Sequence, residues 1–197
     1  NAAGRLDDMS YGINCLLAPD LSSARVMAAE LDDLNKARRE IEQGMQHEAE
    51  NVMQQLHFTE DNLPNAIALY QKDWHQGVIG IVAGRLKEKF NRPSIVFAAA
   101  KDDASSMSDT SLKAENIEIK GSARSIPHLH IRDLLEHIDS QYPGIILKFG
   151  GHAMAAGLSI YQHDFEKFQQ LFDEYVGKWL KPEDFNGIIL SDGALQP

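Results

Sequence analysis

Gly150-Gly151-His152-Ala153-Met154-Ala155-Ala156-Gly157 places three glycines, three alanines and one imidazole within eight residues. Side chains this small do not fill a core; they let another molecule come close to the backbone. Glycine also reaches φ > 0 without steric cost. Main-chain N–H groups exposed in such a run form a concavity for an anion, most often a phosphate. His152 adds an imidazole whose charge is set by its surroundings. The run follows Gly144-Ile145-Ile146-Leu147 and precedes Leu158-Ser159-Ile160-Tyr161. Two readings stand: a phosphate cradle, or a glycine-rich turn between two strands.

Further residues repeat the theme. Gly121-Ser122-Ala123-Arg124-Ser125 is a second small-residue run carrying a guanidinium, which matches phosphate bidentately. A loop arginine at a surface is also often inert. Asn1-Ala2-Ala3-Gly4-Arg5 pairs small residues with an amide and a guanidinium. Gly77, Gly80 and Gly84 fall on one face of a helix introduced by Trp74-His75-Gln76. Each interior glycine costs a helix ~1 kcal/mol relative to alanine. That face therefore serves close packing on a sheet or close approach of a ligand. Free N–H groups near His75 and Gly77 would favour an anion. His128 and His130 alternate as on one strand face, but lack a third metal ligand nearby in sequence. Asp7-Asp8 and Asp32-Asp33 are adjacent pairs that point apart on a helix, which suits solvated faces. The sequence contains no nucleophile elbow, P-loop or metal-ligand cluster.

The elements that must position these groups read as a helical lead-in and an α/β body. Leu6 to Ala18 reads as a short helix, broken by Pro19-Asp20-Leu21-Ser22-Ser23. Met27, Leu31, Leu34, Ile41, Met45, Ala49, Val52 and Leu56 then recur every three to four residues or at multiples of that step, one stripe of a helix from Ser23 to Leu56. A helix that long spans ~50 Å, which suits a connector across two domains. A plain amphipathic surface helix is the other reading. Strands are expected at 66–70, 93–98, 116–122, 157–161 and 187–190, and helices at 77–90, 131–140 and 165–180. Phe165, Phe168, Leu171, Phe172 and Tyr175 should face inward on the last. Residues 101–114 are polar and aperiodic and read as a mobile loop. Strands alternating with helices imply a mixed α/β sheet flanked by helices, with at least one parallel crossover.

Composition narrows the classes. Apolar residues make up 43% of 197, normal for a globular protein and too many for disorder. No apolar run approaches the ~20 residues of a membrane span, and residues 1–20 lack the apolar core of a signal peptide. The single Cys15 fits a reducing, cytoplasmic setting. Net charge is −10, which argues against non-specific nucleic-acid binding by the whole surface. Its distribution is uneven. Residues 1–63 hold 5 basic and 12 acidic residues, whereas 64–160 hold 11 and 10. The glycine-rich run thus lies in the one segment that does not repel phosphate.

The runs at 1–9, 74–85, 121–125 and 150–157 occur in the order seen in the RecJ family of single-strand-specific exonucleases. The last resembles the Gly-Gly-His signature of the DHH-associated domain of the DHH phosphoesterase superfamily, and the likeness covers nearly the whole chain. The resemblance implies four regions. Residues 1–20 would end a truncated DHH catalytic domain, and 21–57 would form the connector helix. Residues 64–182 would form the DHH-associated substrate-binding domain, and 183–197 would begin a further domain or tail. It implies 5′-to-3′ degradation of single-stranded DNA in repair and recombination, with Mn²⁺ or Mg²⁺ held by Asp and His ligands of the DHH domain. This chain has no Asp-His-His run, so the chain alone should be inactive and bind no metal. By motif, His152 with Gly150 and Gly151 would hold a phosphate near the scissile bond. Arg5 and Arg124 would contact backbone phosphates or the 5′ end. Asn1, His75, Gly77 and Ser125 would line the substrate. Trp74 would stack on a base or simply pack. Single-stranded DNA is the expected partner, with single-stranded-DNA-binding protein a further one. Two alternatives are a DHH-type phosphodiesterase for short oligonucleotides or cyclic dinucleotides, and a non-catalytic protein-interaction module.

Overall fold

The computed structural model describes residues 3–55, 63–100, 117–186 and 193. Asn1, the expected mobile loop at 101–114 and the expected strand at 187–190 lie outside them. Three layers are present. Helix α3 (Leu21–Gln55) and α4 (Ile79–Phe90) lie on one side of a five-stranded sheet, and α5 (Ile131–Gln141) and α6 (Phe165–Trp179) on the other. The strands are β1 (Ile67–Tyr70), β2 (Ser94–Ala99), β3 (Glu118–Arg124), β4 (Lys148–Gly151) and β5 (Ala155–Tyr161), ordered β1-β2-β3-β5-β4. β1 and β2 run parallel through the crossover helix α4, and every other pairing is antiparallel. The mixed sheet and the long preceding helix match the sequence expectation.

Residue parity builds both faces. Ile95, Phe97, Ile119, Ala123, Leu158 and Ile160 point toward α5 and α6, where Phe168, Leu171, Phe172 and Tyr175 complete the main core. Phe165 meets the edge of Phe97 at 5.6 Å between ring centroids. Ile67, Leu69, Val96 and Ala98 point the other way, onto α4 and the second half of α3. The exposed edge of β1 is closed by side chains of α6. Asp173 Oδ1 accepts from the Ala66 N–H at 3.0 Å, and Gln169 Nε2 donates to the Ala68 carbonyl at 2.7 Å.

The lead-in differs from one short helix. Helix α1 (Ala3–Leu6) stops before Asp7, and α2 (Ser10–Leu16) restarts after Met9. Asp7 Oδ1 accepts from the Asp8 N–H and Asp8 Oδ1 from the Ser10 N–H, at 2.8 and 2.9 Å. These local bonds offer the backbone an alternative to the helix ladder. Asp32 and Asp33 do not diverge; both reach Lys36 at 2.9 Å. Helix α3 is 35 residues long, roughly 52 Å. Among the described residues of α3 only Met45, Ala49 and Met53 are buried, against α4 and the sheet; Met53 stands beside the expected stripe, whose Val52 is half-buried. No helix among the described residues is long and apolar enough to cross a membrane.

Candidate nucleic-acid interface

The glycine-rich run is a hairpin, not an open loop. Its first two glycines end β4, its last three residues, Ala155, Ala156 and Gly157, begin β5, and only His152, Ala153 and Met154 turn between the strands. The turn is pinned. The His152 N–H donates to the Ala155 carbonyl at 2.8 Å, and the Ala153 and Met154 carbonyls accept from Ile131 and Ser125 N–H groups. The His152 amide is thereby taken, while its imidazole is exposed at the tip. Gly151 carries φ +147°, and a Cβ there would lie 2.4 Å from the Ala155 carbonyl oxygen. The turn itself demands this glycine. Gly150 and Gly157 are different. They pair across β4 and β5, both are exposed, and an added Cβ would meet nothing closer than 3.9 Å.

Register sets these glycines in a row with Ser122 of β3. Ser122 and Arg124 point toward α4, since a Cβ on Gly80 would stand 2.9 Å from both Ser122 Oγ and Arg124 Nη2. The row therefore floors a cleft of about 580 Å³ on the sheet face that α4 leaves bare. Its walls include Gln76, Gly77 and Gly80 before and in the first turn of α4, and Arg5 from α1. Lys120 and Lys148 line the far end. Four cations thus face one cleft, and among the described residues no carboxylate lines it.

The guanidiniums are held in place. Arg124 Nη1 donates to Ser122 Oγ at 3.0 Å and to the Ala123 carbonyl at 2.8 Å. Ser122 Oγ accepts here, so its hydroxyl proton remains to be donated elsewhere. Arg5 Nη1 donates to the Gly77 carbonyl at 3.1 Å. Burial pushes the Arg124 guanidinium below its usual pKa, and the positive charge of Arg5 adds to the effect. Both stay cationic. Two like charges held near each other without a carboxylate create a demand for an anion.

The other expected site residues separate. Gly77 precedes α4 rather than sharing its face with Gly80 and Gly84. A Cβ there would sit 1.8 Å from the Arg5 carbonyl oxygen, so it admits α1. His75 Nδ1 accepts from the Gly77 N–H at 3.1 Å and shapes the same wall. Trp74 is 4% exposed within the α3–α4 core, and its Nε1 donates to Glu48 at 2.7 Å. Packing occupies its indole. Ser125 is 1% exposed and faces the opposite side from Arg124, with Oγ donating to the Leu129 carbonyl at 2.7 Å. It cannot line the cleft. His128 lies in a turn at φ +74°, and His130 caps α5, its Nδ1 accepting from the Asp133 N–H. Neither belongs to a strand face. No group of three His, Cys, Asp or Glu side chains among the described residues could hold a metal ion.

Ser122, Lys120, Lys148, Gly80 and Gly157 were not among the expected site residues. Ser122 and Lys120 carried a signal: they stand two and four residues before Arg124, on the same strand face.

Comparison with known proteins bears on this arrangement. Residues 63–178 match the DHHA1 domain family. The chain belongs to the DHHA1 domain family. Over all 197 residues it is 52% identical to the single-stranded-DNA-specific exonuclease RecJ of Escherichia coli K12, covering 32% of that protein. Among solved structures, RecJ in complex with Mg²⁺ from Thermus thermophilus superposes with a TM-score of 0.71 at 27% identity, over 92% of this chain and 25% of that one. An exonuclease RecJ bound to manganese gives 0.70 at 26%, over 93% and 40%. The chain spans about a third of the length of the curated RecJ relatives to which it is 52% identical. The cleft lies within the DHHA1 match, except for Arg5, which α1 supplies from outside it.

Proposed function

We propose that this chain grips the phosphate backbone of single-stranded DNA for a 5′–3′ exonuclease whose metal centre lies outside it. The observation that carries the reading is the cleft holding Arg5 and Arg124 with no lining carboxylate among the described residues, on a chain of net charge −10. A surface so acidic overall attracts a polyanion only where its cations are concentrated. Arg5 and Arg124 clamp a backbone or 5′ phosphate over the exposed backbone of Gly150 and Gly157. His75, Gly77 and Gly151 shape the walls and the turn, and His152 reaches a phosphate near the scissile bond from the hairpin tip. The likeness to RecJ supports a single strand as the ligand.

The side chains of the described residues do not fit a divalent metal centre. Mg²⁺ or Mn²⁺ bound elsewhere in a longer protein would activate water and stabilise the leaving oxygen. Large exposed apolar side chains at Met9, Ile13, Leu16 and Leu17 support packing of residues 1–20 against the remainder of such a protein. The four-region division at 1–20, 21–57, 64–182 and 183–197 belongs to the same reading, as do repair, recombination, a cytoplasmic setting and contact with single-stranded-DNA-binding protein.

The test is titration of labelled single-stranded DNA with the chain and its Arg124→Ala variant, with and without Mn²⁺. Binding that Arg124→Ala weakens about tenfold or more, with no mononucleotide release, is expected. Unchanged binding, or metal-dependent cleavage by the chain alone, would refute it.

A further inference from the structure

The cleft is assembled from two regions of the chain. Arg124 and Gly77 lie within the DHHA1 match, whereas Arg5 is carried by α1 outside it. The two regions meet at Gly77. Arg5 Nη1 donates to the Gly77 carbonyl at 3.1 Å, and a Cβ on Gly77 would lie 1.8 Å from the Arg5 carbonyl oxygen. Gly77 thus meets Arg5 through both its carbonyl and its bare α-carbon. Its φ is not positive, so alanine would suit the backbone there and the obstacle is α1. That obstacle is main chain, unlike the side-chain ends beside Gly80, so α1 itself would have to move.

Helix α1 exists through such docking. Its four residues are too few to persist as a helix alone. Ala3 is buried, Leu6 packs half-buried against the α3–α4 core, and the Asp7 N–H closes the turn on the Ala3 carbonyl at 2.7 Å. Charge acts against the docking. Burial, and after it the positive charge of Arg5, lowers the pKa of Arg124, so docked α1 holds two like charges near each other. An anion between them relieves the repulsion.

We propose that Gly77 is the positioning residue for Arg5, and that a phosphate shared by Arg5 and Arg124 latches α1 to the DHHA1 domain. Linkage makes the effect reciprocal: the factor by which docked α1 raises phosphate affinity is the factor by which phosphate favours docking. Filling the cleft thereby stiffens the joint between the two regions while the strand is held. The inference rests on the single-strand reading above, in which both arginines clamp one phosphate.

The experiment titrates the full chain with thymidine 5′-monophosphate, and with thymidine at matched ionic strength, while amide hydrogen exchange is followed at Asp7. Arg5→Gln and Gly77→Ala should each weaken the monophosphate about tenfold. Their double variant should be weaker by about tenfold again only in total, not about a hundredfold, because both changes remove one contact. In the unaltered chain saturating monophosphate should slow Asp7 exchange by the same factor, about tenfold, and thymidine should not. Arg5→Gln should abolish that slowing. The exchange measurement decides the question even if Gly77→Ala does not fold. Asp7 exchange that ignores the monophosphate, equal slowing by thymidine, or additive losses in the double variant would overturn the latch. Arg124→Gln without effect on monophosphate affinity would instead overturn the reading beneath it.

Discussion

Replacing Gly80 with alanine should weaken DNA binding while leaving the chain at least as stable as before. Two effects act at this residue. Alanine is the better helix former by up to about 1 kcal/mol, less in a first turn than in an interior. Against that, the new Cβ would stand 2.9 Å from Arg124 Nη2 and 2.9 Å from Ser122 Oγ, where 3.4 Å begins ordinary contact. Each must retreat about 0.5 Å. Both atoms end flexible side chains, so the fold yields at little cost. The guanidinium, however, leaves the position its two hydrogen bonds define. A hydrogen bond to a charged group contributes about 1.5–3 kcal/mol, and losing half of one corresponds to a three- to tenfold fall in affinity.

Gly84→Ala is the matched control. It lies in the interior of α4, and its Cβ would meet nothing within 4 Å. It should add about 1 kcal/mol, or roughly 2–4 °C in Tm, with binding unchanged. Thermal melts and fluorescence anisotropy with 5′-phosphorylated single-stranded DNA read both quantities. If Gly80→Ala and Gly84→Ala bind alike, the Arg124 guanidinium is not what holds the strand. If Gly80→Ala lowers stability by more than about 1 kcal/mol, the contact is a packing constraint and the two side-chain ends are not free to yield.

Neighbouring glycines should separate by what surrounds them. Gly151→Ala, strained at positive φ and against backbone, should cost about 1–3 kcal/mol in urea denaturation, whereas Gly150→Ala should spare the fold and weaken DNA binding. Trp74→Phe should destabilise by about 1.5–3 kcal/mol through loss of the bond to Glu48, with DNA affinity per folded molecule unchanged in anisotropy; a selective loss of affinity would restore base stacking as its role. Glu50 is held below the usual carboxylate range by its bond to Lys89, then by Gln46. A depressed carboxyl stabilises above its unfolded pKa and loses that contribution as pH falls through its folded one, so Glu50→Gln should flatten the decline of the urea midpoint below about pH 5.

Much of the scaffold was legible because burial is periodic. After Ser94, β2 is an unbroken apolar run between two helical layers, and α6 carries a clean stripe of aromatic and aliphatic residues. β4 was not legible. Lys148-Phe149-Gly150-Gly151 is short, largely exposed and half glycine, so only its pairing with β5 makes it a strand. The site was half legible for a related reason. Small residues and a guanidinium at 121–125 indicated close approach, but composition does not tell which side of a strand a residue takes. Once β3 is known, period-two alternation sends Ser122 and Arg124 to the cleft and Ser125 away from it. Trp74 stayed open between stacking and packing, since an indole beside a ligand wall and one inside a core read alike until Glu48 is placed.

The same alternation explains why the cleft stays open. A sheet face is covered when its side chains give a helix apolar surface to bury. On the α5–α6 side every strand from β2 to β5 does so. On the other side α4 rests over β2 and part of β3, where Val96 and Ala98 receive it. Beyond that the same face presents Ser122, Gly157, Gly150 and lysines, which offer a helix almost no apolar area and would leave cations buried without partners. At about 25 cal/mol per Å² of apolar area, nothing there offsets desolvating two lysines and two arginines. The bare half of the sheet is thus a surface no part of this fold would gain by covering, and an anionic ligand would.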